Sequence, residues 1–173
     1  MRQLISIFLL FTSAAVYAQT ESDYIYLNKI LKQQVRDESF LVGEPTFSEQ
    51  FNGESNINIE EKIKLYEQAI NSLLTDTLSR YAGTIDREAI KDSFIQWNAR
   101  YINGQTFTQK TNVFFRYITR PIIVSSNLFV VIQFDSYAGG AVDACLYKYN
   151  ARTNKIRLLQ WHTVTRYGLM NKW

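Results

Sequence analysis

The spacing of apolar residues changes once along this 173-residue chain, near Gly104, and that change limits what the chain can fold into. Before it, apolar side chains recur every three or four residues, the period of a helix face. After it they come in β-branched and aromatic runs cut by turn residues, the texture of strands. Helices that each carry one apolar stripe need a surface to cover, and a sheet that follows them in sequence supplies one. The expected fold is therefore α+β, with about three N-terminal helices packed on a C-terminal antiparallel sheet of five or six strands joined as a meander. No internal repeat or low-complexity tract interrupts the pattern. A single domain is expected over residues 19–173, mainly helical over 19–104 and mainly strand over 105–173.

Three helices are predicted in the first half. Ser22 is placed to cap one in which Tyr24, Leu27, Leu31 and Val35 form the apolar stripe, ending near Asp37. Asn58, with Glu61 three residues on, forms an imperfect capping box for a second. Its stripe is Ile59, Ile63, Tyr66, Ile70, Leu73, Leu74, Leu78 and Tyr81, and Gly83 is placed to stop it. Asp86 caps a third, with Ile85 and Ile90 as a hydrophobic staple, a face of Ile90, Phe94, Trp97 and Tyr101, and Gly104 as terminator. The segment from Glu38 to Ile57 is too long for an ordinary connection. Phe40, Leu41, Val42, Phe47 and Phe51 point to an extra strand or a folded lid there, and a lid opens the alternative of a module that binds a small apolar ligand.

In the second half the runs are Val113 to Ile118, Ile122 to Ser125, Leu128 to Asp135, Ala141 to Asn150 and Lys155 to Thr165. Ser126-Asn127 reads as a tight turn. Ala151 to Asn154 closes a second hairpin, with Asn154 suited to a left-handed backbone.

The first 18 residues read as a secretory signal peptide: Arg2, an apolar run from Leu4 to Phe11, then Val16-Tyr17-Ala18 as a small-x-small cleavage site. The run is too short to span a bilayer, and no later stretch is long enough. The expected location is periplasmic or secreted, with no membrane span, which disfavours nucleic acid as a partner and nucleotide cofactors. One Cys makes no internal disulfide, and one His without a cysteine pair makes a transition-metal site unexpected. No cofactor is expected.

Charge divides with the fold. Gln19 to Gly104 holds 9 Lys and Arg against 14 Asp and Glu, a net of −5, while Gln105 to Trp173 holds 9 against 2, a net of +7. Opposed charge on the two halves is accounted for if they neutralise each other within one domain. A second reading is a binding surface. If Asn150 pairs with Lys155, Lys148 falls opposite Arg157, and like charges directly opposed are destabilising unless something anionic joins them. Arg116, Lys148, Arg152, Lys155 and Arg157 are the candidate anion-binding residues, for an acidic protein partner or an anionic glycan.

The same register places Asp143 opposite His162 and Cys145 opposite Gln160. Asp143, Cys145 and His162 would then share a face, a thiol with a base and a group to orient it. Tyr147, Tyr149, Ile156 and Leu158 continue that face, so an ordinary core layer is the expected account of it, with Cys145 a small hydrophobe and His162 a structural partner for Asp143. There is no Gly-x-Ser-x-Gly elbow to make a serine nucleophile. An enzyme is thus the lesser expectation, with Cys145 and His162 of a hydrolase or transferase as its candidates.

Tyr137-Ala138-Gly139-Gly140-Ala141, followed by Tyr149-Asn150 and Thr153-Asn154-Lys155, is similar to a stretch in the extracytoplasmic domains of lysozyme-responsive anti-sigma factors and related deacetylase-associated modules. The likeness covers fewer than 20 residues, and Val142 stands where that family usually has a His. It carries no functional residue to this chain. The sequence is read as an exported binding protein, of the kind that inhibits or confers immunity by blocking an acidic partner.

Overall fold

A computed structural model describes residues 20–33, 39–43, 59–109, 115–136 and 141–166. The leader, Val35 and Asp37, Asn58, Phe47 and Phe51, Val113, and the Tyr137–Gly140 stretch lie outside the described residues.

Helix α1 is Glu21–Gln33. Its cap is Thr20 rather than Ser22. The Thr20 carbonyl accepts the Asp23 N–H at 3.0 Å, and Asp23 Oδ2 accepts the Thr20 N–H at 2.9 Å. The acidic residue three positions on thereby satisfies a backbone donor that the helix leaves over. Tyr24, Leu27, Ile30 and Leu31 are buried. Helix α2, Ile59–Leu78, buries Ile63, Tyr66, Ile70, Leu73 and Leu74 and closes in a 3₁₀ turn at Ser79–Tyr81. Gly83 follows with φ +74°, and its N–H donates to Asn71 Oδ1 at 2.8 Å. A left-handed residue just past a helix is where glycine costs least.

Helix α3, Arg87–Asp92, starts as expected: Asp86 accepts the Ala89 N–H at 2.8 Å, and Ile85 and Ile90 are buried. It does not run on to Tyr101. The chain leaves the helix at Ser93 because the groups that would extend it are bonded elsewhere. The Trp97 N–H goes to the Val42 carbonyl at 2.6 Å, and its indole N–H to the Ile118 carbonyl at 2.8 Å. Ile95 receives the Tyr117 hydroxyl on its carbonyl at 2.9 Å and donates its N–H to the same oxygen at 3.0 Å. The apolar period continues through Phe94 and Trp97, but in an extended segment followed by a 3₁₀ turn at Ala99–Tyr101.

The strands are β1 (Ser39–Leu41), β2 (Phe107–Thr108), β3 (Phe115–Ile118), β4 (Ile122–Ser125), β5 (Leu128–Asp135), β6 (Ala141–Asn150) and β7 (Lys155–Arg166). Among the described residues they form one seven-stranded sheet in the order β2-β1-β3-β5-β6-β7, with β4 beside β5 along the edge that β3 begins. The fold is α+β, helices first and strands after, as the change of period requires. The sheet is mixed rather than wholly antiparallel, because β1 runs parallel to both β2 and β3. β1 comes from the segment read as strand or lid; Phe40, Leu41 and Val42 are all buried in it or next to it.

Because side chains alternate across a strand, the sheet has two distinct faces. On one, Phe134 touches Tyr66 of α2, Phe94 and Tyr117, with ring centroids 5.8 to 6.2 Å apart. Val130, Ile132, Ala144 and Leu146, all buried, continue that face by pairing. On the other, Tyr26 of α1 packs on Phe129 at 4.6 Å and on Tyr149 at 5.4 Å. Arg120 bonds Asp23 at 2.9 Å and fixes the start of α1 to the connection between β3 and β4. No helix among the described residues is long and apolar enough to cross a membrane.

Candidate functional site

The β6–β7 hairpin carries both sets of candidate residues, and the structure treats them differently. Near its tip the register is the one the loop length implies: Asn150 faces Lys155, and Lys148 faces Arg157. Further along, β7 supplies one residue more than β6 at two points. Leu146 and Tyr147 face Gln160 and Leu158, and Val142 and Asp143 face Thr165 and Thr163. The first bulge, at Leu159, corrects the expected pairing, and the second, at Val164, shifts only Val142 and Ala141 beyond it. Asp143 lies opposite Thr163, Cys145 opposite Trp161, and His162 opposite Ala144.

Residues directly opposed share a face, so Cys145 and Asp143 point to one side and His162 to the other. His162 lines a shallow groove of about 260 Å³ with Leu65, Gln68, Ala69, Ser72 and Val164, against α2. Cys145 is buried, and its thiol is pushed up to about 12, first by burial and then by the negative charge of Asp143. The Asp143 carboxylate accepts the Thr163 hydroxyl at 2.8 Å. A thiolate nucleophile needs a lowered pKa and a base beside it. Here the pKa is raised, and the sheet stands between thiol and imidazole. Among the described residues no group of three or more His, Cys, Asp or Glu is disposed to hold a metal ion.

The cationic candidates also divide. Lys148, Arg152, Lys155 and Arg157 are all exposed at the hairpin tip. Arg116 is not with them. It sits in β3 opposite Asp135, with the guanidinium 3.6 Å from the carboxylate and the two side chains 6% and 10% exposed. A charge that deep requires an opposite charge, so Arg116 belongs to the interior of the sheet rather than to the surface patch.

The tip is tightly held. Asn150 Oδ1 accepts the N–H groups of Arg152 at 3.0 Å and Thr153 at 3.2 Å, an Asx turn that sets the loop. Asn154 takes φ +50°, as its residue type allows, and receives the Tyr149 hydroxyl at 3.0 Å. From α1, Lys29 donates to the Asn154 carbonyl at 2.6 Å and Gln33 to the Ile156 carbonyl at 2.8 Å. Lys29 is thus a fifth cation at the tip. Nothing in the sequence signals it, because it arrives from 125 residues away by tertiary packing alone. Among the described residues no ion pair involves Lys148, Arg152, Lys155 or Arg157.

The tip and the flanking strand form a hydrogen-bonded, exposed cationic hairpin end on an α+β scaffold. Comparison with protein-family models, with curated proteins and with solved structures finds no match.

Proposed function

We propose that the protein is an exported, non-catalytic binding protein that engages an acidic partner protein through the tip of the β6–β7 hairpin. One observation carries this reading: Lys148 and Arg157 are directly opposed across two strands, flanked by Arg152 and Lys155, with no acidic residue paired to any of them among the described residues. Opposed like charges cost stability, and an anion brought by a partner turns that repulsion into attraction. The Asx turn and the two α1 side chains hold the loop in place before any partner arrives, so little ordering entropy is lost on docking. Export is supported by the leader pattern in residues 1–18. An inhibitor or immunity-type role fits a small scaffold whose chemistry lies in charge rather than in a nucleophile.

The test is a pull-down from an extracytoplasmic fraction with the chain from Gln19 onward, beside a variant with Lys148, Arg152, Lys155 and Arg157 all changed to Glu. One acidic protein, held stoichiometrically at low salt, released at moderate salt and missed by the variant, is the expected result. Equal capture by the variant defeats the reading. Retention on anionic glycans with no protein captured moves it to a carbohydrate.

A further inference from the structure

The two margins of the sheet are built differently. One ends in β2, which is two residues long. The other ends in β7, which is twelve, and among the described residues no strand pairs with its outer side. An edge strand offers a row of backbone donors and acceptors to any passing chain, and proteins usually blunt such edges by shortness, proline, bulges or charged side chains, of which β7 has bulges and cations outside its regular 160–163 stretch. β2 is blunt by length. β7 contains no proline, and between its two bulges Gln160, Trp161, His162 and Thr163 keep regular register with β6. Gln33 occupies one edge carbonyl, that of Ile156, and leaves the strand beyond it.

The side chains of β7 state what would fit. Trp161 is 62% exposed and Leu158 is 37% exposed, and both lie on the face turned away from α2, opposite Cys145 and Tyr147. Lys155 and Arg157 lie on the other face, with Lys148. The strand has Lys155, Arg157 and Arg166 and no acidic residue. A second copy is a poor occupant, since pairing two β7 strands sets cations together with no carboxylate to join them. An extended segment whose acidic residues alternate with apolar ones complements both faces.

We infer that the acidic partner docks by adding an extended strand to the outer edge of β7, its apolar side chains on Trp161 and Leu158 and its carboxylates on Lys155 and Arg157. This deepens the proposed function and rests on it. The edge supplies backbone hydrogen bonds that are indifferent to sequence, while the alternation selects the partner.

The experiment selects peptides from a random library, each as long as β7, on the chain from Gln19 onward. The expected winners alternate acidic and apolar residues, and N-methylating every second backbone amide of the best one, on the side that faces β7, weakens it at least about tenfold. Trp161→Glu, at an exposed position, is expected to weaken the unmodified peptide by a similar factor while leaving circular dichroism unchanged. Acidic winners that tolerate methylation on both sets of alternate amides overturn strand addition and leave the cationic reading intact. Winners without acidic residues, or no winners, overturn both. Winners that resemble β7 itself point to self-association and also overturn the proposal.

Discussion

Arg116 and the hairpin cations are alike in sequence and opposite in setting. Arg116 is buried against Asp135 in the middle of the sheet, whereas Lys148, Arg152, Lys155 and Arg157 are exposed at the hairpin tip with no ion pair to any of them among the described residues. A buried charge is tolerated only with its counter-charge in place, so the first site is bound to folding. An exposed cluster costs the fold a little and gives it nothing, so the second is available for something outside the molecule. The same residue type thus serves the fold in one place and, in the proposed function, recognition in the other, and burial separates the two.

The largest effect that tests this contrast is the loss of Asp135. Asp135→Ala removes the carboxylate that faces the buried Arg116 guanidinium and is expected to cost about 3–5 kcal/mol, read as a lower urea midpoint with unchanged slope. Replacing the pair together with Arg116→Met and Asp135→Leu is expected to recover most of that loss. A cost for Asp135→Ala no larger than that of an exposed substitution would erase the distinction between the two sites.

The interior is equally intolerant of a charge it lacks. Cys145 has an ordinary value of 9.0 that burial pushes up to about 12. Below pH 9 the thiol is neutral in both states and contributes no pH dependence. Between 9 and 12 the unfolded chain gives up the proton while the folded one keeps it, so stability falls with rising pH, by on the order of 1.4 kcal/mol per unit. Tyr24 and Tyr26, also raised by burial, add to the alkaline loss. Cys145→Ala removes the thiol's share, and the difference between the two pH profiles measures it. In the folded protein at neutral pH, iodoacetamide is expected to leave Cys145 unmodified.

At the tip the effects are smaller. Asn150→Ala removes the acceptor for two backbone N–H groups and is expected to cost about 1 kcal/mol. Hydrogen exchange at Arg152 and Thr153 should quicken more than at the centre of β6. If loop order matters for docking, as a preformed site implies, the same variant weakens partner binding with its charges intact.

What the sequence disclosed follows the physics of each signal. The bounds of β4, β5 and β6 match the runs read from residue type, because each is closed by turn residues whose backbone preferences are local. The tip register followed from a four-residue loop, and with it the Lys148–Arg157 opposition. The bulge at Leu159 leaves no local mark, and it moved His162 to the far face from Cys145. The end of α3 was hidden for another reason: Val42, Ile118 and Tyr117, all outside that helix, take the backbone and indole groups of residues 95 and 97. Arg116 and Arg157 are the same letter in the same kind of run, and only tertiary placement separates them: an interior strand beside Asp135 for the one, the exposed hairpin tip for the other.

The finest test is Lys148→Glu, where stability and binding are expected to move in opposite directions. Lys148 and Arg157 face each other, so the substitution turns a repulsive cross-strand pair into an attractive one. Both positions are exposed, which limits the gain to a few tenths of a kcal/mol, seen as a small rise in the urea midpoint that added salt removes. The same change deletes a contact for an acidic partner and adds a repulsion, so affinity falls and its salt dependence flattens. A residue retained for folding has no reason to behave this way, since a variant that stabilises the hairpin should then be neutral or beneficial throughout. If Lys148→Glu destabilises the fold, the lysine has a structural counterpart inside the molecule, and the contrast with Arg116 disappears.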